Sequence, residues 1–196
     1  MSRDGILHFT LLTDGVVPYV ISDQYTQDEK FGEIAFIKVA MDIISSSTQN
    51  CVRFVEHSNK TDYIYITREL ACNFNVGRDG GRQIVSFMRG CLEEIGAIQH
   101  ELLHVLGFYH EHSRADRDDY VWINWKNIRL SAIEDFQIQT DADSLGLPYD
   151  YNSVLHYPWN AFAINDSLPT ILGKKMPEGK QIGQKSNLSQ LDILVF

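Results

Sequence analysis

Between positions 100 and 110 the chain reads His-Glu-Leu-Leu-His-Val-Leu-Gly-Phe-Tyr-His, and no other stretch restricts the fold as tightly. Two histidines four residues apart fall one turn apart on one face of a helix, so His100 and His104 can reach a single metal ion. Glu101 lies off that line, and its carboxylate can face the metal's open position instead of filling it. Gly107 supplies a residue that leaves the helix at little steric cost, which lets the chain turn and return His110 as a third ligand. Three neutral nitrogens with one open corner are the donor set of a catalytic zinc, whereas structural sites close all four positions, usually with cysteine. A bare HExxH recurs by chance on solvated helices. The longer HExxHxxGxxH is far more specific.

The helix carrying this motif is expected from Leu92 to Leu106. Ile95, Ile98, Leu102, Val105 and Leu106 cover one side, and Ala97, His100 and His104 line another. So little polar surface remains that the helix must be buried, as the floor between two lobes, with the chain crossing at Gly107. Upstream, Val16–Ile21 reads as a strand, with Pro18 early in it or on an edge. Thr26-Gln27-Asp28-Glu29 fits a capping box. Phe31, Ile34, Ile37, Met41 and Ile44 follow at helical spacing to about Ser45. Cys51–Val55, Tyr63–Thr67 and Gln83–Phe87 alternate as strands. The cluster Gly77-Arg78-Asp79-Gly80-Gly81 lacks the Gly-Lys-Ser/Thr ending of a phosphate loop and reads as a hairpin or bulge. Downstream, a helix is expected from Asn127 to Phe136. Loops punctuated by Pro148, Pro158, Pro169 and Pro177 follow, and then a short final helix within Asn187–Leu194. There is no internal repeat and no low-complexity segment.

A chain of 196 residues can build one good core, or two small lobes sharing a cleft. Its formal net charge of −9 argues against nucleic acid or an anionic membrane surface as partner, since both need a basic face. No apolar run approaches a membrane span. Residues 1–14 do not have the pattern of a signal peptide. Three cysteines, Cys51, Cys72 and Cys91, leave the redox compartment open, because an odd count implies a free thiol, an intermolecular bridge or a missing partner. Sequons at Asn59, Asn165 and Asn187 favour secretion only mildly.

The run His110-Glu111-His112-Ser113-Arg114-Ala115-Asp116-Arg117-Asp118-Asp119-Tyr120-Val121 extends the motif as in the astacin metallopeptidases, a branch of the metzincins. Cys72 followed by Gly77–Gln83 ahead of Cys91 agrees, as do Ser153-Val154-Leu155-His156-Tyr157 and Ile182-Gly183-Gln184. The chain resembles that family from Gly15 to Ile193. The resemblance implies an α+β, two-lobed fold. Its N-terminal lobe (1–106) has a twisted mixed sheet and two long helices, its C-terminal lobe (107–196) is irregular, and 1–196 form a single catalytic domain. It also implies a secreted, monomeric zinc endopeptidase acting on proteins or peptides. The metal ligands would be His100, His104 and His110, with Glu101 as general base, Tyr157 as additional ligand, and a Cys72–Cys91 disulfide.

Three departures from the family stand out. Leu155 replaces a methionine in the turn beneath the zinc. The usual partner of Cys51 near the C-terminus is lacking, so Cys51 is expected to be unpaired and the last helix untethered. Residues 1–14 do not look like the usual mature start, whose amine would pack near Glu111.

The implied chemistry is peptide hydrolysis by an activated water, with Glu101 moving the proton and Tyr157 donating to the developing oxyanion. From residue type alone, Tyr157 fits a core tyrosine equally well. His112 and His156 fall outside the ligand spacing and read as structural, with His156 packing near the site; His8 and His57 read as solvated. Arg114, Asp116, Arg117 and Asp118 are expected to form an ion-pair network pinning the crossing between lobes. Cys72–Asn75 is a candidate edge strand for an extended substrate. Lys174 and Lys175 either select acidic residues after the cut or are solvated surface lysines. The rival reading is a secreted protein that holds zinc for binding or structure with impaired catalysis. An intact Glu101 argues against it.

Overall fold

The computed structural model describes residues 15–25, 32–69, 76–140, 142–176, 182–184 and 186–196. They divide into two compact units, one built on the described residues up to Phe108 with 186–196, the other on Tyr109–Gln184.

The first unit is periodic. Strands β1 (Val16–Ile21), β2 (Arg53–Glu56), β3 (Tyr63–Thr67) and β4 (Arg82–Ser86) form a sheet in the order β2-β1-β3-β4. Every pairing is parallel, with Val17 opposite Phe54, Val20 opposite Tyr65 and Ile66 opposite Val85. Parallel neighbours need a crossover, and helix α1 (Glu33–Ser47) supplies it between β1 and β2. Ile37, Ala40, Met41 and Ile44 bury along one stripe of α1 at the three- and four-residue steps of a helix. The helix ends where Thr48 bonds back to the Ile44 carbonyl through both its amide and its hydroxyl. Gln49 and Asn50, at φ 52° and 62°, then turn the chain.

Helix α2 (Ile95–Val105) packs on α1 and is buried over most of its circumference. It begins three residues later than its spacing suggests, because Arg89–Leu92 form a separate 3-10 turn. A short α3 (Gln190–Leu194) closes the chain. Ser189 accepts from the Asp192 amide while the Asp192 carboxylate accepts from the Ser189 amide, a reciprocal cap. The last helix has no disulfide to Cys51, as expected, and its end packs instead through Phe196, edge-on against Phe108 at 5.2 Å. Cys51 is free and exposed, 3.6 Å from the Phe196 carbonyl. Gly80 and Gly81, at φ 80° and 68°, lead into β4. The edge strand expected at Cys72–Asn75 and the capping box expected at Thr26–Glu29 lie outside the described residues.

The second unit is irregular. Strands β5 (Val121–Ile123) and β6 (Ile171–Gly173) pair antiparallel beside a core of Val121, Ile123, Ile128, Phe136, Tyr149 and Ile171. The helix expected from Asn127 to Phe136 is absent. Trp125–Asn127, Leu130–Ala132 and Glu134–Phe136 are separate 3-10 turns, and Ile128 between the first two is extended. Ile128, Ala132 and Phe136 do bury at four-residue steps, which is why the spacing suggested a helix. Here a neighbouring loop takes the backbone groups a helical ladder would use: the Arg129 amide donates to the Phe162 carbonyl, and the Asn127 carbonyl accepts from the Ile164 amide. Asn127 donates to the carbonyls of Asn165 and Leu168 and accepts from the Asn165 amide, while Ile128 bridges to Ala163.

Candidate metal centre

Helix α2 places His100 and His104 one turn apart, both buried, with rings edge to face at 4.6 Å and Nε2 atoms 3.0 Å apart. The His104 Nδ1 lies 2.6 Å from the Phe108 carbonyl oxygen. A carbonyl only accepts, so Nδ1 carries the proton and Nε2 turns a lone pair towards His100. The helix stops just beyond, where the His104 carbonyl accepts from the Gly77 and Gly107 amides and Gly107 adopts φ 103°. That left-handed residue frees the chain from the helix axis, and His110 follows in extended backbone. One ligand atom from each of His100, His104 and His110 lies within 4.8 Å of the other two, a set able to hold a metal ion. Glu101 follows His100 on the same helix and is itself buried.

Tyr157 stands beside the third histidine, its ring 4.4 Å from that of His110 and stacked on His112 at 4.1 Å. His112 is fully buried and bonded through Nε2 to the Asp135 carbonyl at 3.0 Å, so its place is structural. The turn that carries Tyr157 is bonded behind the motif: the Glu111 amide donates to the Leu155 carbonyl, and the Leu155 amide to the Ser153 hydroxyl. Leu155 occupies that turn as a buried side chain.

Two features of this turn carry no signal in sequence spacing. Tyr149 places its hydroxyl 2.7 Å from the His156 Nε2, and the His156 Nδ1 is 2.8 Å from the Tyr157 carbonyl. Burial pushes the His156 imidazole down to about 4, so it is neutral at ordinary pH, and burial raises the Tyr149 phenol. Gly183 packs so closely that a Cβ there would sit 2.7 Å from the His156 carbonyl oxygen. From the sequence, His156 reads only as a structural residue packing near the site.

The charged cluster after the motif is internal to the second unit. Arg114 forks onto Asp116 at 2.9 Å for both contacts, reaches Glu111 at 3.0 Å, and donates to the carbonyls of Leu147 and Pro148. Burial nevertheless lifts the Glu111 carboxyl to about 7. Arg117 commits its buried guanidinium to the His112 and Phe136 carbonyls and to Asp118. Lys174 is bonded to the Asp118 carbonyl, and Lys175 lies over the Tyr120 ring. His57 is not simply solvated: Nε2 meets the Lys60 carbonyl and the ring leans on Tyr63. His8 lies outside the described residues. Cys91 is held in a disulfide, and its expected partner Cys72 lies outside them too.

The family model for Astacin, a peptidase family, matches residues 8–196. The chain belongs to the astacin family. Among curated astacin relatives, high choriolytic enzyme 1 of Oryzias latipes is 42% identical over 181 residues, covering 91% of this chain and 63% of the relative. The astacin-like metalloendopeptidase of Gallus gallus is 40% identical over 193 residues, 98% of this chain and 43% of the relative. In three dimensions the chain is similar to a solved structure of high choriolytic enzyme 1, a hatching enzyme zinc-protease from Oryzias latipes. The TM-score is 0.84 and the identity 41%, covering 92% of this chain and 86% of that one. The chain spans about three fifths of the length of the choriolytic enzymes it matches. The family is α+β, its relative nas-14 of Caenorhabditis elegans is named a zinc metalloproteinase, and the histidine triad here suits that ion: three nitrogen donors, one of them already set in the ligating tautomer. No helix among the described residues is long and apolar enough to cross a membrane.

Proposed function

We propose that this astacin is a zinc-dependent endopeptidase in which His100, His104 and His110 hold the metal and Glu101 and Tyr157 carry the chemistry. The observation bearing most of the weight is the convergence of three imidazoles from HExxHxxGxxH, with a buried carboxylate next to the first. Bound zinc supplies a Lewis acid for the scissile carbonyl and lowers the pKa of water to about 7. The residues do the rest. Glu101 takes the proton of the attacking water and delivers it to the departing amine. Tyr157, beside His110, donates its hydroxyl hydrogen to the carbonyl oxygen as negative charge develops there. The neutral His104 Nε2 is kept available by the Phe108 carbonyl.

The substrates are proteins or peptides. The whole chain acts as one catalytic domain, monomeric and extracellular, with Cys91 bridged to Cys72. An extracellular setting agrees with a disulfide at Cys91. Because relatives bear the name choriolytic enzyme, chorion belongs in the substrate panel beside a general quenched-peptide library.

The test is Glu101→Gln. Hydrolysis should fall by roughly 10²- to 10⁴-fold, the usual worth of a positioned base, while one zinc per chain is retained. If wild type and variant are equally inert with zinc bound, the chain is a zinc-holding binding protein and the proposal is wrong.

A further inference from the structure

The turn around His156 holds a buried relay that no ligand assignment uses. Tyr149 and His156 are both buried, the Tyr149 hydroxyl lies 2.7 Å from the His156 Nε2, and the His156 Nδ1 lies 2.8 Å from the Tyr157 carbonyl oxygen. The direction of both bonds is fixed. The carbonyl can only accept, so Nδ1–H donates to it; Nε2 then has only a lone pair, and the phenol O–H donates to that. Both ring nitrogens are committed, and the imidazole cannot rotate without breaking two buried hydrogen bonds.

The two ends of the relay are anchored elsewhere. The Tyr149 ring stacks on Tyr120 at 4.7 Å and 7° and meets Tyr151 edge-on. At the far end, Gly183 closes on the same peptide: a Cβ there would fall 2.7 Å from both the Tyr157 carbonyl carbon and the His156 carbonyl oxygen. Gly183 is itself tied down, its amide donating to the Tyr151 carbonyl at 3.0 Å. The Tyr157 main chain is thus gripped from two sides. Its ring meets those of His110, His112, Phe136 and Phe162. Ring contacts set the plane of a phenol but yield to small rotations. A fixed main chain is what keeps the hydroxyl on one arc.

We propose that Tyr149, acting through His156, is a positioning residue for Tyr157: it fixes the Tyr157 peptide so that the phenol swings about a constant pivot. The inference rests on the reading of Tyr157 as a group that acts on the metal and the substrate carbonyl. Tyr149 itself touches neither.

The test uses the zinc-loaded full chain with Tyr149→Phe, His156→Asn and the double variant, and Tyr157→Phe as reference. Tyr149→Phe keeps the ring stack and loses one hydroxyl. His156→Asn keeps an N–H where Nδ1 stood and loses Nε2. Each single variant should lower kcat about tenfold with KM within a factor of two and zinc content unchanged, the pattern of an interaction felt only in the transition state. The double variant should be no worse than either single one, because both cut the same chain. Copper(II)-substituted protein gives a readout independent of turnover. A charge-transfer band lost in Tyr157→Phe reports the phenol at the metal, and it should shift or weaken in Tyr149→Phe.

Additive losses in the double variant, or an unaltered copper band in Tyr149→Phe where Tyr157→Phe abolishes it, would overturn the relay and leave the role of Tyr157 standing. If Tyr157→Phe changes neither kcat nor the band, the reading of Tyr157 fails, and the relay fails with it.

Discussion

The two units of the molecule hold themselves together by different means. In the first, apolar residues recur at helical and strand periods, and the backbone satisfies itself: Ile37, Ala40, Met41 and Ile44 line α1, and four strands share a parallel ladder. In the second, polar side chains do what the ladder does elsewhere. Arg114, Arg117, Asn127 and Arg129 all donate to main-chain carbonyls of distant residues. The candidate site residues divide the same way. His100, Glu101 and His104 stand on a regular helix, while His110 and Tyr157 stand on irregular backbone. A regular element forgives substitutions that keep shape and polarity. An irregular one depends on particular atoms.

The largest effect should come from Gly183→Ala. Gly183 has φ 72°, and an added Cβ would meet main-chain atoms of His156, Tyr157 and Pro158 at 2.7 Å. Backbone cannot yield as a flexible side chain does, so the combined strain and overpacking should cost about 4 kcal/mol and displace the Tyr157 turn. Chemical denaturation and peptide hydrolysis should both report it. A variant with wild-type stability would show that the second unit is softer than its packing implies.

Asn127→Leu comes next and tests the contrast directly. Leucine has a similar shape but leaves the Asn165 amide and the Asn165 and Leu168 carbonyls without the bonds Asn127 now provides. Each of the three partly buried bonds so lost is worth about 0.5–1.5 kcal/mol, and about 3 kcal/mol in total is expected. Leu102→Met on α2, an apolar swap at a fully buried site, should stay below about 1.5 kcal/mol. Equal losses from the two would remove the distinction between the units.

The same distinction explains how much of the fold the sequence made legible. α1 and β3 were readable because burial there follows a period. The motif was readable because helical spacing and one glycine bring three histidines together with no long-range information. The segment 127–136 misled because its buried residues are spaced as in a helix while its backbone bonds to a loop more than thirty positions on, the Arg129 amide to the Phe162 carbonyl and the Asn127 carbonyl to the Ile164 amide. The link from Tyr149 to His156 was invisible for a related reason: a hydrogen bond between side chains seven apart in a loop has no periodic signature.

Tyr25 is the exception inside the regular unit, a buried phenol donating to the Thr67 and Phe87 carbonyls at the ends of β3 and β4. Burial pushes its pKa up to about 12 from 10.0. The folded state therefore keeps the proton where the unfolded chain has lost it. The stabilisation is complete below pH 10 and drains away as pH rises through 12, by about 2–3 kcal/mol over that span. Tyr25→Phe should cost about 1–2 kcal/mol at about pH 8 and flatten the alkaline limb relative to wild type. Parallel limbs in the two proteins would mean the phenol is not the group that titrates.

The smallest effect is expected at Leu155. The position of this residue is set by its main chain: its amide donates to the Ser153 hydroxyl at 3.0 Å, and its carbonyl accepts from the Glu111 amide at 3.2 Å. Neither bond involves the side chain, which is buried and fills volume. Methionine has nearly the same volume and adds flexibility and a polarisable sulfur, so Leu155→Met should change stability by less than about 1.5 kcal/mol. Zinc affinity, measured by competition with a chelator, should move by no more than about threefold, well below the roughly 10- to 100-fold cost of removing a group that orients a ligand. A tenfold gain in zinc affinity or in kcat would mean that the side chain, and not the bonded main chain of this irregular turn, sets the geometry beneath the metal.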